Sequence, residues 1–252
     1  MGFLKYEDVL IEVAGESVFA SEASINVSAS LEPVRLADGT VHRYAPSNGM
    51  QGQLSFSHYL TGSLASFLDV TGVSEAAVVG TFGGLSFGDA YLNSLSFSVE
   101  PYSPILVESS FNFYGSLSNS ISSSYDVDLE KTKHSHAIKS FVAGTPANMN
   151  YNISFDYSMK AQRNPVLLAG ETTPTRVTKQ AVDINMNIVG DNIGNNLTFN
   201  GEDVNLKCSI YDINNSSALQ NFYCSGRITS QELGVSNQGY LNGAISAIQS
   251  YQ

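Results

Sequence analysis

The stretch at residues 52–60, with the sequence GQLSFSHYL, decides the fold class of this chain. Leu54, Phe56, His58 and Leu60 alternate with small or polar residues. A period of two residues is typical of a β-strand that buries one face and exposes the other. Four further stretches alternate in the same way, namely residues 95–99, 107–113, 182–188 and 204–210.

Repeated alternation of this kind predicts antiparallel sheets with one apolar face and one face of small polar residues. Helical periodicity is confined to residues 63–69, where Ser63 is a candidate N-cap and the apolar residues fall on one face. The sequence therefore predicts an all-β protein with at most one short helix in each half.

A short motif occurs twice, as PVRLA at residues 33–37 and PVLLA at residues 165–169. Its signature residues are Pro33, Val34, Leu36, Pro165, Val166 and Leu168. At the same offset Ile25 falls on Tyr157, while Leu54 and Phe111 are matched to Val182 and Gly243. We interpret the chain as two tandem, mutually similar domains of the β-sandwich or half-barrel type. The alternative is two unrelated β-domains that share a turn.

The predicted domains span residues 1–115 and 131–252, and a Ser-rich linker at residues 116–130 joins them. The net charge of the 252-residue chain is −11. The first domain is the more acidic one. Such a balance disfavours a protein that grips nucleic acid, because that binding needs basic surface. No apolar run approaches the length of a membrane span, and no secretory signal opens the chain.

Motifs that carry chemistry are missing from the sequence. The Gly-x-Ser-x-Gly, P-loop, His-Glu-x-x-His and EF-hand patterns are all absent. His134 and His136 have the spacing of a metal pair on a strand, but lysines surround them and no third ligand is apparent. His58 reads as a hydrogen-bonded core histidine. Cys208 and Cys224 could close a hairpin disulfide, although buried thiols are favoured. We predict no enzyme, no metal and no cofactor.

Residues 15–39 (GESVFASEASINVSASLEPVRLADG) and 52–62 (GQLSFSHYLTG) carry a resemblance to a known family. They resemble the small β-domain of tailed-phage virion proteins. The pattern is most similar to the tail-tube family, which includes the tube protein of type VI secretion. The matching parts are the strand around residues 23–27, the turn at Pro33 and the long strand at residues 52–60.

The resemblance implies a structural virion protein, assembled in the host cytoplasm, whose copies form rings that stack into a tail tube. Two fused domains imply trimeric rings that mimic hexamers. The implied partners are copies of the chain and other tail, neck or baseplate proteins, and DNA passes without specific binding. Candidates to face the lumen are Glu12, Glu16, Glu22 and Asp89. A loop between rings is implied at residues 38–49, with Asp38, Arg43, Tyr44 and Asn48, or at residues 171–179.

Two other classes of protein stay open on the sequence alone. Without stacking contacts from these loops, a neck or baseplate ring protein or a capsid decoration protein fits better than the tube itself. A β-sandwich that binds carbohydrate is the other alternative, with Tyr91, Tyr102, Tyr211 and Tyr223 as its exposed aromatics. The absence of Trp, a favoured residue for stacking on sugars, counts against that class.

Overall fold

The structure is a computed structural model that describes residues 9–46, 49–68, 77–121, 131–142, 145–146, 149–168, 171–193, 203–235 and 241–251. These residues form β-strands throughout, apart from turns and one short 3₁₀ helix at Ser66–Leu68. The all-β prediction is confirmed. The helix expected at residues 63–69 shrinks to a single turn, in which the Leu68 N–H donates to the Ala65 carbonyl and Leu68 is buried.

The first half contributes ten strands: β1 (Ile11–Val13), β2 (Glu16–Val18), β3 (Ala20–Ser28), β4 (Leu31–Arg35), β5 (Val41–Pro46), β6 (Gln51–Tyr59), β7 (Val78–Phe82), β8 (Leu85–Val99), β9 (Ser103–Pro104) and β10 (Leu106–Tyr114). The second half contributes seven: β11 (His134–Val142), β12 (Thr145–Pro146), β13 (Met149–Val166), β14 (Arg176–Ile193), β15 (Asp203–Asp212), β16 (Ala218–Val235) and β17 (Leu241–Tyr251).

Fifteen of these strands form one antiparallel sheet, while β4 and β5 pair as a separate hairpin. Eight long strands make up the middle of the sheet in the order β3-β6-β10-β8-β13-β14-β17-β16. The sheet continues from β8 through β7 and β1 to β2, and from β16 through β15 and β11 to β12. The order of pairing in the first half is therefore repeated in the second.

Two β-bulges fix how the repeated strands correspond. In the first half the pairing of β10 with β8 shifts between Ser110 and Phe111, where it skips Asn93. In the second half the pairing of β17 with β16 shifts in the same way and skips Thr229. Phe111 thus corresponds to Ala247 and not, as the sequence alignment had it, to Gly243.

The correspondence of β6 and β14 follows from the strands beside them. Ala23 of β3 pairs with Phe56, and its counterpart Phe155 of β13 pairs with Ile188. Phe56 therefore corresponds to Ile188, and Leu54 to Met186. The match of Leu54 to Val182 made from the sequence is wrong by four residues, which is two periods of the strand. Strand alternation hides such errors, because a shift by an even number of residues keeps every apolar residue on the same face.

The two halves share one sheet through the pairing of β13 with the C-terminal part of β8. Tyr157 pairs with Phe97, and the two rings stack with centroids 5.2 Å apart. Phe155 and Phe222 pack against the same cluster, so the apolar core runs across this junction without a break. Of the predicted linker, Ser118 exchanges two backbone hydrogen bonds with Ser86, and residues 122–130 lie outside the described residues.

Candidate assembly surfaces

One face of the eight long strands packs into the core, and the other is polar. Where the two halves meet, this polar face forms a shallow groove of about 540 Å³. Its polar lining residues include Ser96, Glu108, Asp156, Ser158 and Asn185. Each of them alternates along its strand with a core residue, which places them all on the open side of the sheet.

Side chains on this polar face bond to one another across the strands. The Ser96 hydroxyl donates to the Glu108 carboxylate at 3.3 Å. Asn187 donates from Nδ2 to the Asp156 carboxylate at 3.1 Å, and it accepts a bond from the Ser246 hydroxyl. The face is therefore hydrophilic and built from short side chains, a surface that favours water over apolar partners.

The lumen candidates from the sequence are distributed over two regions. Glu22 lies on the polar face, where it pairs with Ser57. Glu12 and Glu16 lie on the β1–β2 hairpin, outside the long strands, and accept hydrogen bonds from Thr81 and Ser66. Asp89 is exposed beside β7 with a positive φ.

Glu108 and Asp156 are carboxylates of the polar face that the sequence reasoning missed. The signal was available, because Glu108 adjoins core residue Val107 and Asp156 lies between core residues Phe155 and Tyr157. A polar residue beside a core residue of a strand faces the opposite side of the sheet.

The edge of the sheet at β3 is open in the described structure. β3 pairs with β6 on one side, and no described strand lies on the other. Its core-facing residues Ala23, Ile25 and Val27 are half-buried, whereas their counterparts in β13, which has strands on both sides, are buried.

A second open edge belongs to the last part of β16. β15 pairs with residues 218–227 of β16, and beyond them residues 232–235 border β17 alone among the described strands. Leu233 is 57% exposed and Val235 is 79% exposed. Their counterparts in β8 are Phe97, 6% exposed, and Val99, 1% exposed, which are covered by β13.

Two hairpins extend beyond the long strands, and we call them the first arm (residues 31–46) and the second arm (residues 163–179). Four antiparallel pairings separate β3 from β13, so these strands run in the same direction and both arms leave the sheet at the same end. Of the predicted loop residues, Asp38 lies at the tip of the first arm, and Arg43 and Tyr44 lie on β5. Asn48 lies outside the described residues.

Hydrogen bonds order the turn at the tip of the first arm. The Asp38 carboxylate accepts bonds from both the backbone N–H and the hydroxyl of Thr40, at 2.9 and 2.6 Å. These two bonds hold the pKa of the Asp38 carboxyl below its usual range, because they stabilise the charged form.

Groups able to carry chemistry are isolated in the described structure. No group of three His, Cys, Asp or Glu residues there could hold a metal ion. Cys208 and Cys224 are buried and unlinked, since Cys208 pairs with Phe222 and Cys224 with Leu206 on the neighbouring strand. Burial raises the pKa of the Cys224 thiol to about 11 and raises that of Cys208 as well.

His58 lies on the core face as predicted and is half-buried, but its hydrogen bonding differs from the prediction. Its Nδ1 atom has no hydrogen-bond partner among the described residues, and its ring lies 5.7 Å from that of Phe56. Burial lowers the pKa of the imidazole to about 4. His58 is therefore neutral at physiological pH.

Three of the four tyrosines of the carbohydrate alternative are engaged by cations within the chain, since the Lys207 ammonium lies 5.7 Å from the centroid of the Tyr223 ring. The Arg163 guanidinium lies over the Tyr91 ring at 5.0 Å, and the Lys139 ammonium lies over the Tyr211 ring at 4.6 Å. Tyr102 and Tyr223 are exposed.

No protein-family model matches the chain, and no curated protein matches its sequence. In the described part of the chain, no helix has the length and apolar character needed to cross a membrane.

Proposed function

We propose that this chain is a structural protein of a tailed-phage virion. Its copies join edge to edge into closed rings, and the rings stack into a tail tube through which DNA passes. The observation that carries the proposal is a pair of open sheet edges. The row of eight long strands begins with β3 and ends with β16, and β3 and the last part of β16 are both unpaired on their outer sides among the described strands. Exposed strand edges of this kind are templates for pairing with another chain.

The junction between the two halves supplies a template for the contact between copies. At that junction β13 pairs with β8, and these two strands correspond to β3 and β16. The register of the β13–β8 pairing can be applied to the contact between copies, because β3 corresponds to β13 and the last part of β16 corresponds to β8. In that register Ala23 lies opposite Val235 of the next copy, and Ile25 lies opposite Leu233. All four side chains then lie on the core side of the sheet, so pairing removes exposed apolar surface from water.

The repeated order of strand pairing supports a ring with more units than chains. If each chain supplies two similar units, three copies give a pseudo-sixfold ring from threefold symmetry, as the resemblance to tail-tube proteins implies. All arms then leave the ring at one rim. The two rims therefore differ, and rings stack in a single direction.

The polar face of the long strands is the proposed wall of the channel. Glu22, Glu108 and Asp156 lie on it among serines and asparagines. Carboxylates predominate on the described part of this face, which also carries Lys160, and such a wall repels phosphates.

Cysteine cross-linking tests the predicted contact. We expect a variant with Ile25→Cys and Leu233→Cys to form, on mild oxidation, a covalently closed trimer, seen by denaturing electrophoresis without reductant. Electron microscopy of the same sample should show rings or tubes. The native cysteines stay unlinked, because both are buried.

A shifted pair is the matched control. Ile25→Cys with Gly234→Cys moves one thiol to the opposite face of the strand and should give little cross-linking. Equal cross-linking of both pairs would contradict the register. A protein that stays monomeric at high concentration, with no cross-linked species, would overturn the ring altogether, and closed rings that never stack would favour a neck or baseplate protein.

A further inference from the structure

We propose that the first arm is a clasp that seats on the neighbouring copy of the chain, beside Ala181 and Arg227. This inference rests on the proposed ring, and it names a contact separate from the paired strand edges. It predicts that residues of the arm body, and not only the sheet edges, determine how tightly copies associate.

The second arm provides a template for this contact, because within one chain it packs against the first half. The Met50 N–H donates to the Thr172 carbonyl at 3.1 Å. A Cβ placed on Gly49 would lie 3.0 Å from the Leu167 side chain, which shows how closely the arm packs on the first half. At the corresponding Ala181 the methyl group holds an arm a few tenths of an ångström further out. At the base of the arm, the Arg163 guanidinium covers the Tyr91 ring.

The corresponding positions on the second half are well defined. Gly49 corresponds to Ala181 by the pairing of β6 and β14, and Tyr91 corresponds to Arg227 by the bulges in β8 and β16. The neighbour's first arm would reach these positions in a ring, since both arms leave the sheet at the same end.

The first arm is exposed at positions where the second arm is covered. Leu31 is 55% exposed and Tyr44 64%. Their counterparts Arg163 and Val177 are only half-exposed or less. Leu36 behaves differently, because it and its counterpart Leu168 are both exposed, at 50% and 56%. The seat of the second arm thus covers the body of the hairpin and leaves this position near the tip in solvent.

Substitutions in the first arm test the clasp. We expect Leu31→Ser and Tyr44→Ser together to raise the concentration at which rings dissociate by about tenfold or more, measured by mass photometry over a dilution series. The two side chains share one face of the hairpin, the face whose counterpart in the second arm is seated. Leu36→Ser is the matched control within the same arm, and it should change that concentration by less than about twofold. Equal effects of the two variants would overturn the clasp.

Cross-linking two different cysteine pairs tests the arm contact and the strand-edge contact independently. A short bismaleimide should link Arg35→Cys to Ala181→Cys between copies, whereas Arg35→Cys with Ser217→Cys, on an exposed loop, should not be linked. If the strand-edge pair Ile25→Cys and Leu233→Cys closes a trimer while the arm pair stays unlinked, the clasp is wrong and the ring stands. If neither pair links copies, both proposals fail.

Discussion

At the scale of single residues, His58 illustrates how a strand pattern locates a side chain without fixing its bonds. Alternation with Phe56 and Leu60 put it on the core face, and it is half-buried there. Its Nδ1 atom nevertheless lacks a hydrogen-bond partner among the described residues. Neighbouring apolar rings such as Phe56 favour the neutral imidazole, because burial disfavours the charged form.

The depressed pKa of His58 predicts a loss of stability in acid. The unfolded chain takes up the proton near pH 6.5 and the folded chain only near pH 4. Stability from this residue is therefore complete above about pH 6.5 and falls as the pH drops toward 4, by about 3 kcal/mol. His58→Phe should flatten that part of the profile in urea melts between pH 4 and 8. An unchanged slope in the variant would show that other groups set the acid sensitivity.

At the scale of elements, each long strand separates an apolar face from a polar one. In β8, Phe97 contacts Tyr157 of β13 and Phe222 of β16, and thereby ties three strands from the two halves together. Ser96, its neighbour in sequence, lies on the polar face, where its hydroxyl donates a hydrogen bond to the carboxylate of the exposed Glu108. Adjacent residues of one strand thus have opposite roles in stability.

Truncating these two neighbours tests the assignment of faces. Phe97→Ala should lower the free energy of unfolding by about 3–5 kcal/mol, because it leaves a cavity among aromatic rings. Ser96→Ala should change it by less than roughly 0.5 kcal/mol. Thermal or denaturant melts of the two variants provide the comparison. Similar losses for both would mean that the strand is buried on both faces.

The sequence predicted the type of most elements and the burial of their residues, because a period of two is a local signal. Phe56, Phe97, Phe111, Ile184 and Ile210 are buried as the alternation required. Which residues correspond between the two halves was harder to predict. The match of Phe111 to Gly243 kept apolar residues on one face, although the correct counterpart, Ala247, lies four residues further along. Only the bulges at Asn93 and Thr229 revealed it.

The candidate surfaces were less predictable than the strands. Whether a strand lies at an edge depends on long-range pairing, which alternation does not encode, so β3 and β13 look equivalent in sequence. The open end of β16 had no signal beyond Leu233 and Val235, two apolar residues that a core would also explain. Glu22 lies on the polar face, and its role as a lumen residue stays a prediction, while Glu12 and Glu16 lie on a hairpin that the pattern could not locate.

At the scale of the whole molecule, the sheet runs through both halves without a break, and assembly depends on which strands pair with its two open edges. Its middle eight strands end in two edges whose internal counterparts are already paired, with a buried aromatic cluster at that junction. A single chain therefore contains one complete junction and two half-junctions. A closed ring completes every junction without creating a new kind of contact, whereas an isolated chain leaves Leu233 and Val235 in water.

The polar face gives the last prediction, which concerns the channel. Glu108→Lys with Asp156→Lys places lysines on the proposed wall, and Glu12→Lys with Glu16→Lys makes the same change in charge on the β1–β2 hairpin. Both pairs should leave ring formation intact, because none of these residues lies on β3 or on the last part of β16, the two edges that pair in the proposed ring. Fluorescence anisotropy with short duplex DNA should show no binding by the wild-type rings. Only the first variant should bind, with affinity that falls steeply between about 50 and 200 mM salt as counterion release requires. Equal binding by both variants would mean that charge alone attracts DNA and that the polar face does not line its path.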